Sequence, residues 1–149
     1  MNGADYLLGA DALARHGPRL ALVCGPERIT YAELAARVRR AAGALAELGV
    51  EPGDRVMLLM RDTPDLAAAW LGCLWHGAVA IALNSLLDEE DYRFVRSDSG
   101  ARLAIIEDVH AARLPQLFQA LAREQRIAIA GQAPGGLPSW DEKIRRAAP

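Results

Sequence analysis

The chain has 149 residues, 52% of them hydrophobic, and its 17 basic and 19 acidic side chains leave a formal net charge of −2. That length and apolar content suit a single domain with its own core and exclude a disordered chain. The two signs of charge are interleaved from end to end, so no face concentrates the positive potential that a nucleic-acid partner requires.

The opening Met1-Asn2-Gly3-Ala4-Asp5 has no basic region ahead of an apolar run, so no secretory signal is read there. Leu20 to Cys24 and Arg28 to Tyr31 are predicted as two short strands around the turn Gly25-Pro26-Glu27, a hairpin leading into the first long helix. Thr30 with Glu33 three residues on is a capping box, and Ile29 with Leu34 forms a hydrophobic staple. Leu34, Val38, Ala41, Leu45 and Leu48 then recur at helical spacing, with Arg37, Arg39 and Arg40 read as a solvated face. Gly49 ends the helix and Pro52-Gly53 turns the chain.

Arg55 to Met60 has the composition of a strand covered on both faces. Thr63 caps the next helix, with Pro64 at its first position. Leu66 to Leu83 is eighteen residues interrupted only by His76, close to the length of a membrane span. Asp62, Asp65, Asn84 and Asp88 flank it and His76-Gly77 divides it, which predicts a helix buried on all sides followed by a buried strand, Ala78 to Leu83. Asp88 opens a further helix, with Glu89, Glu90 and Asp91 read as first-turn acids on a solvated surface, and Gly100 closes it. Leu103 to Glu107 is a strand, a helix follows Pro115 with Leu117, Phe118 and Leu121 packed, and Arg126 to Ala130 is a strand. Gly131 to Pro138 reads as a flexible loop, and Ser139 with Glu142 begins a last short helix. This alternation predicts an α/β fold: a mainly parallel sheet flanked by helices on both faces, with right-handed crossovers and a short N-terminal hairpin.

In such a sheet, ligands bind outside the carboxyl ends of the strands, so the loops after Met60, Leu83, Glu107 and Ala130 are the places to look for chemistry. None carries a phosphate cradle. Gly131-Gln132-Ala133-Pro134-Gly135-Gly136 lacks the Lys and Ser/Thr that would hold phosphate and magnesium, and the only lysine of the chain is Lys143. No serine lies in a Gly-x-Ser-x-Gly elbow; Ser85, Ser97, Ser99 and Ser139 read as turn or cap residues. Cys24 and Cys73 form no Cys-x-x-Cys and are read as free thiols in a reducing, cytoplasmic setting. His16, His76 and His110 are scattered, without partners at metal-ligand spacing.

Several short segments, in order, carry a resemblance. Ile29-Thr30-Tyr31-Ala32-Glu33-Leu34 resembles the opening Thr-Tyr-x-Glu-Leu motif of the adenylate-forming (AMP-binding) enzymes: acyl- and aryl-CoA ligases, luciferases and nonribosomal adenylation domains. Gly49-Val50 to Asp54-Arg55-Val56 is similar to that family's Gly-Val-x-x-Gly-Asp-x-Val, and Leu74-Trp75-His76-Gly77-Ala78-Val79 to its Gly-Ala at a helix-to-strand junction. Asp62-Thr63-Pro64-Asp65, Asn84-Ser85-Leu86-Leu87, Asp91-Tyr92 and Asp98-Ser99 most resemble the benzoate-CoA ligase branch. The resemblance is firm over roughly residues 20 to 110. Ala80 and Ala82 depart from it, standing where the family often has prolines.

The resemblance implies a ligase that activates an aryl or acyl carboxylic acid as its adenylate and transfers it to a thiol, coenzyme A or the phosphopantetheine of a carrier protein, using ATP and magnesium. Its Pro-Lys-Gly loop, nucleotide contacts and C-terminal lysine normally follow the stretch matched here. Residues 1–149 are therefore expected to form the N-terminal subdomain of the large ATP-binding domain, with the remainder of that domain and the C-terminal domain beyond them. The chain alone is expected to lack catalysis, and no catalytic, cofactor-binding or metal residue is assigned to it. Asn84-Ser85 reads first as a structural turn and is the one segment singled out to be checked for proximity to a ligand. Expected partners are the acid substrate of the parent enzyme, without a nucleic acid or a membrane span, and a homo-oligomer or association through exposed apolar surface. The alternatives are a self-standing α/β binding or assembly module without catalysis, and a small nucleotide-binding α/β protein, against which the missing phosphate loop counts.

Overall fold

Thr30 marks the point where the hairpin has to become a helix. In the computed structural model, which describes residues 2–149, its hydroxyl accepts a hydrogen bond from Glu33 N (3.3 Å), while Glu33 Oε2 accepts from Thr30 N (2.8 Å). Both halves of the capping box are formed, and α3 (Tyr31–Glu47) follows from it. Ile29 and Leu34, the staple pair, are buried in one cluster beneath the helix start. At the other end Gly49 takes a φ of +74°, its N–H donates to Ala46 O and that of Val50 to Leu45 O (3.0 Å each), satisfying carbonyls the helix leaves free.

The hairpin pairs β1 (Leu20–Cys24) antiparallel with β2 (Glu27–Thr30). After α3 come β3 (Arg55–Leu59), α4 (Pro64–His76), β4 (Val79–Ala82), α5 (Glu89–Ser99), β5 (Leu103–Glu107), α6 (Asp108–Ala111), α7 (Pro115–Arg123), β6 (Ile127–Ala130) and α8 (Trp140–Arg146). Two short N-terminal helices, α1 (Gly3–Leu8) and α2 (Ala10–His16), precede the hairpin and are absent from the sequence reading. Asn2 caps the first of them by accepting from Asp5 N (2.9 Å), and its own Nδ2 ties it to Leu74 O (2.7 Å).

Four strands form a parallel sheet in the order β4-β3-β5-β6. Side chains alternate across it, as a pleated strand requires. Val56, Leu58, Leu103, Ile105 and Ala128 face a layer built from α3, α4 and α8. Met57, Leu59, Ala104, Ile106 and Ile129 face Tyr92 of α5 and Leu117 and Leu121 of α7. The chain moves one way from β3 to β4 with α4 on the first layer, then the other way through β5 to β6 with α5 and α7 on the second. Reversing direction and face together keeps a single crossover hand, which is the doubly wound arrangement.

The structure corrects several expectations. α4 is not buried on all sides: Ala68, Ala69, Gly72 and Cys73 pack inward, while Trp70 remains 39% exposed. The strand after it is not buried either, because β4 is a sheet edge and Val79 is 50% exposed. Thr63 stands at the N-cap of α4 but its side chain makes no capping hydrogen bond. Arg37 does not lie on a purely solvated face: it pairs with Glu27 of the hairpin (2.7 Å) and Asp65 of α4 (3.7 Å), and Arg39 stacks over the Trp75 ring at 5.3 Å. Glu89 likewise reaches out of its helix. Its Oε1 accepts from Gln116 N (2.7 Å) and Leu117 N (2.8 Å), capping α7, whose own N-cap Leu114 has no side chain able to do so.

Candidate functional site at the carboxyl ends of the parallel strands

β3 and β5 are neighbours whose following helices lie on opposite layers, so the topological switch point falls between the ends of these two strands. An ion pair fills it. Glu107, the last residue of β5, accepts from Arg61 N (2.8 Å), Arg61 Nε (2.8 Å) and Arg61 Nη2 (2.5 Å). Hydrogen bonding from the Arg61 guanidinium holds the Glu107 carboxyl below the ordinary carboxylate range, with burial pulling against it. Sequence reasoning missed this pair; an arginine just after one strand and a glutamate at the end of another signal it only when the strands are known to be adjacent.

Beside the pair lies a cleft of about 510 Å³ lined by Met60, Arg61, Asp62, Leu83, Asn84 and Ser85 among others. Asn84-Ser85 therefore does reach the mouth of a cleft, and it is also a built turn. Asn84 Oδ1 accepts from Leu86 N (2.9 Å), the Tyr92 hydroxyl donates to Asn84 O (2.6 Å) and Arg113 Nη2 to Ser85 O (2.7 Å). Burial pushes the Tyr92 phenol above its ordinary value, opposed by Arg113. A second, largely apolar cleft of about 490 Å³ opens between the hairpin and α4, with Leu22, Val23, Leu66, Trp70 and Leu71 in its walls and Ala82 of β4 at its end.

The loop after β6 is tied rather than free at its start. Gly131 N donates to Asp141 Oδ2 (3.0 Å) and Gln132 N to Asp108 Oδ2 (2.7 Å). Gly131, at φ +95°, lies so close to Asp108 that an added Cβ would come within 2.5 Å of its carboxylate. Two carboxylates thus occupy the N–H groups a phosphate would need, and their charge opposes an anion.

His110 is buried, and its Nε2 has no hydrogen-bond partner; burial and the Arg113 guanidinium lower its pKa. His76 Nε2 lies 2.8 Å from Val50 O, and His16 lies against the Tyr31 ring, so the three histidines stay apart. Cys73 is fully buried in the first layer, where desolvation pushes its thiol up to about 12. Among the described residues no three His, Cys, Asp or Glu side chains are grouped to hold a metal ion, and no helix is long and apolar enough to cross a membrane.

A sequence profile of the AMP-binding enzyme family matches residues 10–146. The 3-hydroxybenzoate-CoA/4-hydroxybenzoate-CoA ligase of Thauera aromatica is 43% identical over 124 residues, which is 83% of this chain and 23% of that ligase. The benzoate-CoA ligase of the same organism is 35% identical over 133 residues, 89% of this chain and 25% of that one. The crystal structure of a benzoate CoA ligase from Burkholderia xenovorans LB400 aligns with a TM-score of 0.83 at 33% identity, over 100% of this chain and 29% of that chain. The chain spans about a quarter of the length of the curated relatives it matches, corresponding to their N-terminal part.

Proposed function

The chain belongs to the AMP-binding enzyme family, and on that premise we propose that it is the N-terminal subdomain of the large ATP-binding domain of an aryl acid-thiol ligase. The parent enzyme joins a benzoate-like carboxylate to a thiol in two steps. A carboxylate oxygen attacks the α-phosphorus of ATP and pyrophosphate leaves; the thiol sulfur then attacks the acyl carbon and AMP leaves. The observation that carries this reading is the 43% identity, across 83% of the chain, to a ligase named for 3- and 4-hydroxybenzoate.

Within that enzyme the chain supplies scaffold rather than reacting groups. The residues present do not fit ATP or magnesium: the loop after β6 offers its first N–H groups to Asp108 and Asp141, and the sole lysine, Lys143, is engaged with Glu47 at 3.2 Å. Residues 1–149 alone therefore have no catalysis, while the Arg61–Glu107 pair and the Asn84-Ser85 turn set the shape of the strand ends against which the rest of the enzyme packs.

Hydroxylamine trapping of the acyl-adenylate tests both parts. With ATP, magnesium and a panel of aryl and aliphatic acids, the 149-residue chain alone yields no hydroxamate, and the protein extended by its downstream coding sequence yields it with benzoate and hydroxybenzoates. Turnover by the short chain overturns the scaffold role; an extended protein that activates only aliphatic acids overturns the substrate class.

A further inference from the structure

Three loops at the carboxyl ends of the sheet are held from one short segment, 107–113, which ends β5 and contains α6. Glu107 accepts from Arg61 N after β3 (2.8 Å), Arg113 Nη2 donates to Ser85 O after β4 (2.7 Å), and Asp108 Oδ2 accepts from Gln132 N after β6 (2.7 Å). Each loop follows a different strand, so this segment ties together the ends of all four. His110 lies in its middle, buried, and its Nε2 has no hydrogen-bond partner. A buried polar atom left unpaired carries a desolvation cost, and this one belongs to a side chain that titrates near neutrality. The nitrogen is enclosed by the chain's own residues, whatever packs on the outer surfaces.

The charged groups around His110 decide which of its forms fits. Arg113 comes one turn later, its N–H donating to His110 O (3.1 Å), Glu107 ends β5, and Arg61 reaches in from the loop after β3. Through Arg113 the site also adjoins the Tyr92 phenol of α5. The Glu107 carboxylate already accepts three hydrogen bonds from Arg61, and that of Asp108 accepts from Gln132 N. An imidazolium here would be a third cation beside carboxylates already engaged, with its Nε2–H buried against no acceptor. Burial and the Arg113 guanidinium lower the pKa of His110 accordingly. We propose that α6 is a proton-sensitive latch: neutral His110 keeps the three loops gathered at the strand ends, and its protonation releases them together. The imidazolium competes with Arg61 for Glu107 and is repelled by both guanidiniums, so α6 leaves its seat and takes Asp108 and Arg113 with it. β3 and β5 stay paired, because their ladder does not rest on these side chains. A released His110 takes up its proton near about pH 6.5 and a latched one only lower, so the latch is intact above about pH 6.5 and weakens as pH falls from there toward the folded value. Carboxylates stay ionised across that window, and Glu107, held low, does so with more margin.

Amide exchange at Arg61 and Gln132, whose N–H groups are two of the latch's own donors, tests this on the 149-residue chain at about pH 7.5 and about pH 5.5, each rate being divided by the intrinsic rate at that pH. The open fraction read from the two amides rises together and several-fold at the lower pH, toward a limit of about tenfold for one proton. Leu58 and Ile105, in strands paired on both sides, keep their protection. His110→Phe removes the titrating group and the orphaned nitrogen, and with them the change. In the native chain the imidazole resonances of His110 titrate with the same midpoint as the amide shifts of Arg61 and Gln132. An open fraction that does not change with pH in the native chain overturns the proposal, as does a change that persists undiminished in His110→Phe. Should that variant fail to fold, the imidazole titration decides: a midpoint apart from that of the two amides overturns the latch.

Discussion

Glu107 gains its role from where β5 ends. Its carboxylate receives the backbone N–H and the guanidinium of Arg61; the Glu107 side chain is 15% exposed but that of Arg61 is 62% exposed, so solvent screens the charge attraction and the three hydrogen bonds carry most of the effect. A glutamate in the unfolded chain titrates near about 4.3. The folded value lies lower, so folding favours the ionised form. The pair's stabilisation is therefore fully present above about pH 4.3 and is lost as pH falls through the folded value. Glu107→Gln should lower stability by about 1 kcal/mol at pH 7 in urea unfolding, with the difference shrinking below about pH 4. An equal difference at both pH values would assign the effect to packing instead of charge. Two pairings within one turn of the chain were legible in the sequence, Thr30 with Glu33 and Ser139 with Glu142, whereas Thr63 reads as a cap and makes no capping hydrogen bond. Residues acting across the chain were not legible. Glu89 looks like any first-turn acid until α7 is placed beside it, and Arg61 says nothing of Glu107, 46 positions away.

At the scale of elements, α3 and α4 show how small residues set a contact that composition alone misreads. The all-round apolar character of α4 suggested burial on every side; in the fold one face meets α3 and another lines the open cleft beside the hairpin. The tightest approach is at Gly72. A Cβ there would lie 2.6 Å from Ala41 Cβ and 3.3 Å from Ala42 N, against backbone that cannot swing aside. Gly72→Ala would gain about 1 kcal/mol in helix propensity. Overpacking costs about 1–3 kcal/mol, and with contact this short on a facing helix it wins. Thermal unfolding should show Gly72→Ala destabilised by about 1 kcal/mol, a fall of about 2–4 °C for a domain of this size. The double change with Ala41→Gly should recover part of that loss, since the two sites share one contact. A neutral or stabilising Gly72→Ala would mean that the helices sit farther apart. The N-terminal helices escaped the sequence reading because six and seven residues give too few turns for a periodic signal.

For the whole molecule, the alternation of strands and helices sufficed to read a parallel sheet between two layers, because a strand apolar on both sides has to be covered on both. Strand order was not legible, and with it went the location of the open edge and of the switch point. The order predicts how the molecule opens. Met57 to Leu59 and Ala104 to Ile106 lie in strands paired on both sides and are packed against both helical layers. No partial opening exposes them without parting a layer from the sheet, so their amides should exchange only on global unfolding. α1 and α2 hold on by Ala4, Leu8 and Ala12, by the Asn2 tie to Leu74 and by packing on the outer sides of α3 and α4 rather than on the sheet itself, so they can part while the sheet stays intact. Native-state hydrogen exchange with increasing urea should therefore rank the N-terminal helices as the first to open and β3 with β5 as the last. Ala80 and Ala82, with N–H groups turned away from β3, should exchange rapidly although their neighbours Val79 and Ile81 are protected. Uniform protection along β4 would show that the edge is covered from within the chain.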